Sequence, residues 1–279
     1  LGYTMVYGIL RLINFAHGEL FMLGSYLTLT ILVSGWLEGR VGVLWAVLLA
    51  FLMSMGMVAF TGALVERAAY RPLRSAGRLA PVVSALGVSI FLQNAVMLVY
   101  GAKYRVYPEG LLPSVSWQIA GVEITLMRAL ILGVSLLLMA ALYLFIQKTQ
   151  VGTAVRAIAL DHDTARLMGI DVDRVITLVF LLGPALGAAA GVMVGLYYRQ
   201  IYFTMGWTYG LKAFTASILG GMGNIPGAMV GGMLLGVFET VGSGYVSAAW
   251  KDAIAFVILI LILIFRPTGL LGERVAEKL

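Results

Sequence analysis

The side chains that could bind a metal or move a proton are few, and the clearest group lies near the start of the chain. Asn14, His17 and Glu19 precede an uncharged run that begins at Leu20. His17 and Glu19 would each be costly deep in an apolar medium such as lipid, so they are expected to face water, a partner or a cavity. Alternatively, Asn14 could cap the following helix, with His17 at its third position and Glu19 near its positive end. A metal site is not indicated, because the other histidine, His162, is far along the chain.

Glu239 is a second acidic residue of interest, because it ends an uncharged run over 213–238. A lone carboxylate there could relay protons, but proton-coupled carriers usually have a series of buried acids, so a position at the membrane interface is favoured. The sequence has no Walker-type glycine loop, serine elbow or zinc-ligand cluster. It has no cysteine, which excludes disulfides and thiol catalysis. We expect no enzymatic activity and no cofactor, so any ATP-derived energy must come from another chain.

Long apolar helices are the elements that must hold these residues. Of the 279 residues, 61% are hydrophobic and 11% are charged, which is outside the range of soluble globular proteins. An uncharged run of about 18 or more residues predicts a membrane-spanning helix. Residues 246–266 can also span if Lys251 and Asp252 lie at the interface. The uncharged runs that meet the criterion are 20–37, 43–65, 80–100, 129–146 and 175–198.

The run over 213–238 is long for one straight helix and too broken for two full spans. Two short helices could meet near Asn224 and Pro226, so that the segment enters and leaves from one face, as at the substrate path of many transporters. A tight interfacial turn between two tilted helices is the alternative. Residues 1–10 are interpreted as the end of a spanning helix whose start is missing. The prediction is an all-α, polytopic membrane domain over 1–279, with about eight membrane segments, some broken or re-entrant and the first truncated.

Small residues mark one predicted packing surface. In lipid, helices attract each other through close backbone approach, which glycine permits. Pro184 stands beside the first of the glycines and could kink the helix. The glycines recur every four residues and are Gly183, Gly187, Gly191 and Gly195.

The segment 148–174 is the most charged part of the chain, with eight of the 32 charged side chains. It must lie in water between apolar flanks, either as a solvated amphipathic loop or as a docking helix for a partner. Its pattern predicts two short helices, over 152–160 and 164–168, with Arg156 on the first, Asp161 or Asp163 capping the second and Gly169 at its left-handed end.

Basic residues indicate the orientation. If the predicted spans alternate and 213–238 begins and ends outside, 12 of the 19 basic residues lie on the inner side. This bias predicts a cytoplasmic C-terminus and a cytoplasmic segment 148–174. The loop 101–124 then lies outside, where its glycines and prolines predict turns or a short β-ribbon.

Three stretches of sequence resemble the permease subunits of bacterial high-affinity branched-chain amino-acid ABC importers. The first is Gly2–Gly8 with Ile13–Glu19 and Met22–Gly24. The second runs from Gly152 through Arg156 and Asp161 to Ile170. The third is Gly220–Gly227 with Gly231, Arg266-Pro267, Gly269 and Leu270. The resemblance covers almost the whole chain.

This resemblance implies a multi-pass subunit of the bacterial inner membrane that works in a heteromeric importer. Its expected partners are a second homologous permease, two cytoplasmic ATPases and a periplasmic substrate-binding protein, with no nucleic acid. It also implies that segment 148–174 docks onto the ATPase. The candidate coupling residues are Gly152, Arg156, Asp161, Arg166 and Gly169. The candidate residues of the translocation path or gate are Asn14, His17, Glu19, Asn224 and Pro226.

Other functions stay open at this point. Urea and short-amide permeases are similar over the same motifs, so the sequence leaves the ligand undecided. A second class is an ion-coupled secondary carrier that works alone, and a third is a membrane scaffold. The lining of the path and the subunit stoichiometry do not follow from the sequence.

Overall fold

Helices make up most of the protein. The computed structural model describes residues 1–10, 14–36, 42–74, 76–77, 79–111, 113, 115–119, 121–266 and 268–272. The α-helices in these ranges are α1 (Gly2–Leu10), α2 (His17–Val33), α3 (Val43–Val65), α4 (Leu79–Tyr100), α5 (Leu126–Lys148), α6 (Gln150–Leu160), α7 (His162–Leu167), α8 (Val172–Tyr198), α9 (Met205–Gly220), α10 (Ile225–Tyr245) and α11 (Lys251–Phe265).

Six described helices are long and apolar enough to cross a membrane. They are Val43–Leu73, Leu79–Tyr100, Leu126–Lys148, Val172–Tyr198, Ile225–Tyr245 and Ala248–Phe265. α2 is apolar but has only 17 residues, and α9 has 16. The chain is therefore a multi-pass helical membrane protein, while the predicted count of about eight membrane segments is not confirmed.

Two helices run past charges that the predicted spans treated as ends. α3 continues beyond Val65 through a π-helical turn, Glu66–Tyr70, and a 3-10 turn, Arg71–Leu73. Glu66 is buried there and forms an ion pair with Arg74, which offsets the cost of burying its charge. The prediction for 213–238 was wrong in one respect: the helix after the turn is not short, because α10 has 21 residues and runs through Glu239 to Tyr245.

Four short strands lie among the helices. β1 (Arg105–Val106) pairs antiparallel with β4 (Gln200–Ile201), and β2 (Ser116–Ile119) pairs antiparallel with β3 (Val122–Thr125). The predicted β-ribbon within 101–124 is confirmed by the second pair.

The described contacts divide the chain into two compact units. The coupling unit comprises 1–14, 141–179 and 209–279, and the glycine-packed unit comprises 15–140 and 180–208. The prediction of a single domain over 1–279 stays a prediction.

Close backbone contacts hold the glycine-packed unit together. Leu20, Val58, Leu92 and Ala188 form its buried apolar cluster. A Cβ at Gly24 would lie 2.5 Å from the Cα of Ala188, so α2 and α8 approach as closely as glycine allows. Pro184 lies within α8, which stays helical throughout.

In the coupling unit, the residues after α11 return to the end of α9. Leu219, Leu235 and Ala255 form a buried cluster, against which Leu270 packs. The main-chain N–H groups of Leu270 and Leu271 donate to the carbonyl oxygens of Leu219 and Gly220, at 2.9 and 3.0 Å. These bonds satisfy carbonyl groups that the end of α9 leaves open.

Candidate functional site

The helix pair α6–α7 has a complete set of local caps. The hydroxyl of Thr149 accepts a hydrogen bond from the N–H of Gly152 at 3.0 Å, which caps α6. Asp161 Oδ1 accepts from the N–H groups of Asp163 and Thr164, at 2.9 and 3.1 Å, which caps α7. Gly169 has a φ of +84°, the left-handed conformation that favours glycine. The predicted pair of helices, the Asp161 cap and the glycine end are confirmed, although α6 begins two residues earlier than predicted.

One face of this pair is fixed to α1. Val155 and Ile158 are buried, and α6 packs against α1 within the coupling unit. His162 Nε2 lies 3.0 Å from the carbonyl oxygen of Ile9. A Cβ at Gly152 would lie only 2.2 Å from the carbonyl oxygen of Ile146, so the turn between α5 and α6 requires glycine.

The opposite face of the pair exposes large apolar side chains. Leu160 is 83% exposed, Leu167 88% and Met168 78%. Arg166 is also exposed, whereas Arg156 is partly buried and donates to the side chains of Gln147 and Thr153. We call Leu160, Arg166, Leu167 and Met168 the docking face. Exposed leucine and methionine beside a cation are typical of a surface that another protein covers.

The polar segment before α2 differs from its prediction. α2 begins at His17, its N-cap is Ala16, and no side chain caps it, so the predicted Asn14 cap is wrong. Asn14 is itself buried. The helix starts two residues later than expected, and His17 and Glu19 point into protein: they are 5% and 1% exposed.

Glycines make room for both buried side chains in the glycine-packed unit. A Cβ at Gly187 would lie 3.3 Å from His17 Nε2, and a Cβ at Gly206 would lie 2.3 Å from Glu19 Oε2. Ser89 Oγ donates to Glu19 Oε1 at 3.2 Å. Among the described residues, Glu19 Oε2 has no hydrogen-bond partner. Sequence patterns did not indicate Ser89 or Gly206, because both are far from Glu19 along the chain.

The predicted glycine repeat of α8 is buried along its length. A Cβ at Gly191 would lie 2.0 Å from the carbonyl oxygen of Phe21, and one at Gly195 would lie 2.9 Å from the ring of Tyr107. Ser25 Oγ donates to the carbonyl oxygen of Gly191 at 2.5 Å. Burial raises the pKa of the Tyr107 phenol, which stays protonated and donates to the carbonyl oxygen of Ser25 at 2.7 Å.

The other two predicted path residues, Asn224 and Pro226, lie in the coupling unit at the start of α10. Asn224 Oδ1 accepts from the N–H of Gly227 at 2.8 Å, and its Nδ2 donates to the carbonyl oxygen of Leu271 at 2.8 Å. Pro226 occupies the first turn of α10, where a missing N–H costs nothing. Asn224 therefore both caps α10 and binds the returning C-terminal segment.

A group of four charges in the coupling unit was not predicted. Lys212 Nζ lies 3.1 Å from Glu239 Oε1 and 2.6 Å from Asp252 Oδ1. Lys251 Nζ lies 3.5 Å from Glu239 Oε2. Glu239 is thus not a lone carboxylate, and we call these four residues the charge cluster. It joins α9, α10 and α11, which the sequence pattern of each helix alone could not reveal.

The long apolar helices and their glycine packing are those of a multi-pass membrane protein. A family model described as "Branched-chain amino acid transport system / permease component" matches residues 1–263. The chain belongs to this family, so it is a permease component of a transport system rather than an enzyme.

Full-length relatives agree with the family. The chain is 46% identical to the high-affinity branched-chain amino acid transport system permease protein BraD of Pseudomonas aeruginosa, over 100% of this chain and 92% of BraD. It is 44% identical to the high-affinity branched-chain amino acid transport system permease protein LivH of Escherichia coli, over 100% of this chain and 91% of LivH. It is 28% identical to the probable branched-chain amino acid transport permease protein LivM of Methanocaldococcus jannaschii, over 47% of this chain and 43% of LivM. No solved structure gives a significant match.

Proposed function

We propose that this chain is the membrane subunit through which an ATP-driven importer carries branched-chain amino acids across the bacterial inner membrane. The family and the names of its full-length relatives support this substrate class over urea or short amides. The similarity to LivM supports a second, related permease as partner. The remaining proposed partners are two cytoplasmic ATPases and a periplasmic binding protein.

The docking face is the observation that carries the coupling part of the proposal. Three apolar side chains would lie in water unless a partner covered them, while the caps of Thr149 and Asp161 hold the helices that bear them. We assign the ATPase to this face, with Arg166 at the contact. Gly152, Arg156, Asp161 and Gly169 hold the helix pair in shape. This assignment puts the face and the C-terminus in the cytoplasm.

α1 is suited to carry a displacement of this helix pair to the α9–α10 turn. It packs against α6, and it also contacts α10. Thr4 Oγ1 lies 2.6 Å from Ser217 Oγ of α9, and a Cβ at Gly8 would lie 3.6 Å from the Cα of Gly223. ATPase closure would therefore shift α6, α1 and the turn with Asn224 and Pro226 together, which is a gating movement between two states.

In the glycine-packed unit, we assign His17 and Glu19 to the path or gate. Both are polar, buried and close to glycine backbone, so a small helix shift would change what they contact. Gly183, Gly187, Gly191 and Gly195 provide the helix surface against which such a shift occurs.

The test compares two charge reversals at exposed arginines of the same segment. Arg166→Glu, on the docking face, should abolish ATPase association and leucine uptake by reconstituted complexes. Arg174→Glu is the matched control: Arg174 is 88% exposed and pairs only with Asp171 among the described residues, at 2.8 Å. The proposal is wrong if Arg166→Glu, combined with Leu167→Glu, leaves association and uptake at the level of the Arg174→Glu control.

A further inference from the structure

A cavity of about 440 Å³ lies in the glycine-packed unit, and none of the residues assigned above to coupling or to the path lines it. Its wall combines the segment after β1, the β2–β3 hairpin, the first turn of α5 and the last turn of α8. Small-molecule sites have volumes of about 300–1,000 Å³, so this cavity can hold a compact organic ligand.

Two charged residues of the cavity wall have no ion-pair partner among the described residues. Glu123 and Arg128 both line the cavity. Both residues are exposed to solvent, the Arg128 guanidinium donates to the main-chain oxygen of Glu123 at 3.4 Å, and neither side chain forms an ion pair with another described residue. Arg199, the third charged residue of the wall, is paired with Glu109 at 3.1 Å. The wall therefore offers a donor for an anionic group at Arg128 and an acceptor for an ammonium group at Glu123.

Apolar side chains complete the lining, among them Leu111, Leu126, Met127 and Leu196. An opposite pair of charges beside aliphatic surface matches a small zwitterion with an aliphatic side chain. A purely anionic ligand would leave the Glu123 carboxylate facing a like charge, and a purely apolar ligand would cover both charges without satisfying them.

The wall is fixed in place by unusual backbone. Arg199 has a φ of +57°, in the left-handed region that few residues other than glycine occupy. Its carbonyl oxygen accepts from the N–H of Tyr107 at 2.9 Å, next to the β1–β4 pairing. Tyr107 is 1% exposed and is anchored by its bond to Ser25. Strain of this kind persists where surrounding contacts hold it, often at ligand sites.

We propose that this cavity binds a free α-amino acid with an aliphatic side chain, with the carboxylate at Arg128 and the ammonium group at Glu123. The identity of the amino acid rests on the proposed function. In the proposed orientation the cavity opens on the outer side, where substrate arrives. The headgroup of an ethanolamine phospholipid carries the same two charges, so the test must separate these two sources.

The full chain, purified with its partner subunits into phosphatidylcholine nanodiscs, should bind radiolabelled leucine saturably in the absence of binding protein. Arg128→Gln and Glu123→Gln should each weaken binding about tenfold or more, because each removes a charge-assisted hydrogen bond. Arg128→Lys should retain part of the affinity. Lys103→Gln, an exposed residue outside the cavity lining, is the control and should bind as wild type.

Unchanged leucine binding in both monodisperse variants, or no saturable binding in wild type, would overturn the proposal. Native mass spectrometry tests whether the cavity binds a lipid headgroup instead. If wild type retains phosphatidylethanolamine, both variants lose it and leucine does not bind, the amino-acid proposal is wrong and the ligand is a headgroup. Uptake by the reconstituted wild-type importer separates failure of the cavity assignment from failure of the proposed function. If wild type imports leucine while the variants bind it normally, only the cavity assignment fails; if wild type imports none, the proposed function fails.

Discussion

Glu19 and Glu239 are both buried in apolar helices, but the protein accommodates them in opposite ways. Glu239 lies between two lysine side chains in the charge cluster, so its negative charge is compensated. Glu19 has one hydroxyl donor, Ser89, and glycine backbone beside its other oxygen. The first carboxylate is part of a network whose members depend on each other. The second depends on space and on a neutral hydrogen bond.

The largest expected effect follows from removing the central cation of the charge cluster. Lys212→Met leaves Glu239 with only the more distant Lys251, and breaking a buried ion pair costs roughly 3–5 kcal/mol. We expect a marked fall in the thermal unfolding temperature of the purified protein. The double variant Lys212→Met with Glu239→Gln should recover much of the loss. Additive losses in the double variant would show that the two residues are not coupled.

The next effect tests the space beside Glu19. Gly206→Ala puts a methyl group where 2.3 Å separates it from Glu19 Oε2, and such overpacking costs about 1–3 kcal/mol. Gly56→Ala is the control, because a Cβ there meets no atom within 4 Å. Combining Gly206→Ala with Glu19→Ala should recover only part of the loss in thermal unfolding temperature, because the Cβ would still lie 2.7 Å from the carbonyl oxygen of Gly18. Equal losses with and without the Glu19 side chain would contradict the close contact.

Neutral replacement of each acid sharpens the comparison between them. Glu19→Gln keeps the acceptor for Ser89 and leaves no cation uncompensated among the described residues, so its stability loss should stay below about 1 kcal/mol. Glu239→Gln leaves Lys212 and Lys251 without their shared carboxylate and should cost clearly more. Thermal unfolding temperatures of the two variants, measured side by side, show which replacement destabilises the protein more. A larger loss for Glu19→Gln would reverse our interpretation.

The last prediction concerns the cap of α7, whose effect is local. Asp161→Ala removes the acceptor for two N–H groups, and loss of an N-cap costs about 0.5–2 kcal/mol. Hydrogen exchange should therefore speed up locally over α7 while Glu19 and Glu239 variants leave it unchanged. Asp161→Asn, which keeps a capping oxygen, is the control. Faster exchange in Asp161→Asn equal to that in Asp161→Ala would contradict the capping role.

The sequence predicted best where structure is set by neighbours in the chain. The helix pair, the Asp161 cap and the left-handed Gly169 all follow from residues within a few positions of each other. The order and approximate place of the long helices also followed, because lipid requires long uncharged segments. The break between α9 and α10 was predicted close to where it occurs, and the Asn224 cap provides its local reason.

Predictions failed where a distant residue changes the cost of a charge. Spans were ended at Glu66 and Glu239, yet both helices continue, because Arg74 pairs with the first and two lysines with the second. The Asn14 cap was inferred from local spacing, but Asn14 is buried and α2 begins at His17 without a side-chain cap. Ser89 is 70 residues from Glu19, and no sequence spacing could have indicated that bond. Basic residues such as Arg11, Arg40 and Arg78, which entered the orientation prediction, lie outside the described residues.

The segment 268–272 has a consequence for how the protein is made. The last carbonyl groups of α9 and the amide of Asn224 find their partners in Leu270 and Leu271, about fifty residues later in synthesis. Until the ribosome has produced those residues, the α9–α10 turn enters the membrane with open acceptors, which lipid cannot satisfy. Completion of this turn therefore follows the synthesis of α11, and nascent chains stopped after α11 should still need the insertion machinery to shield it.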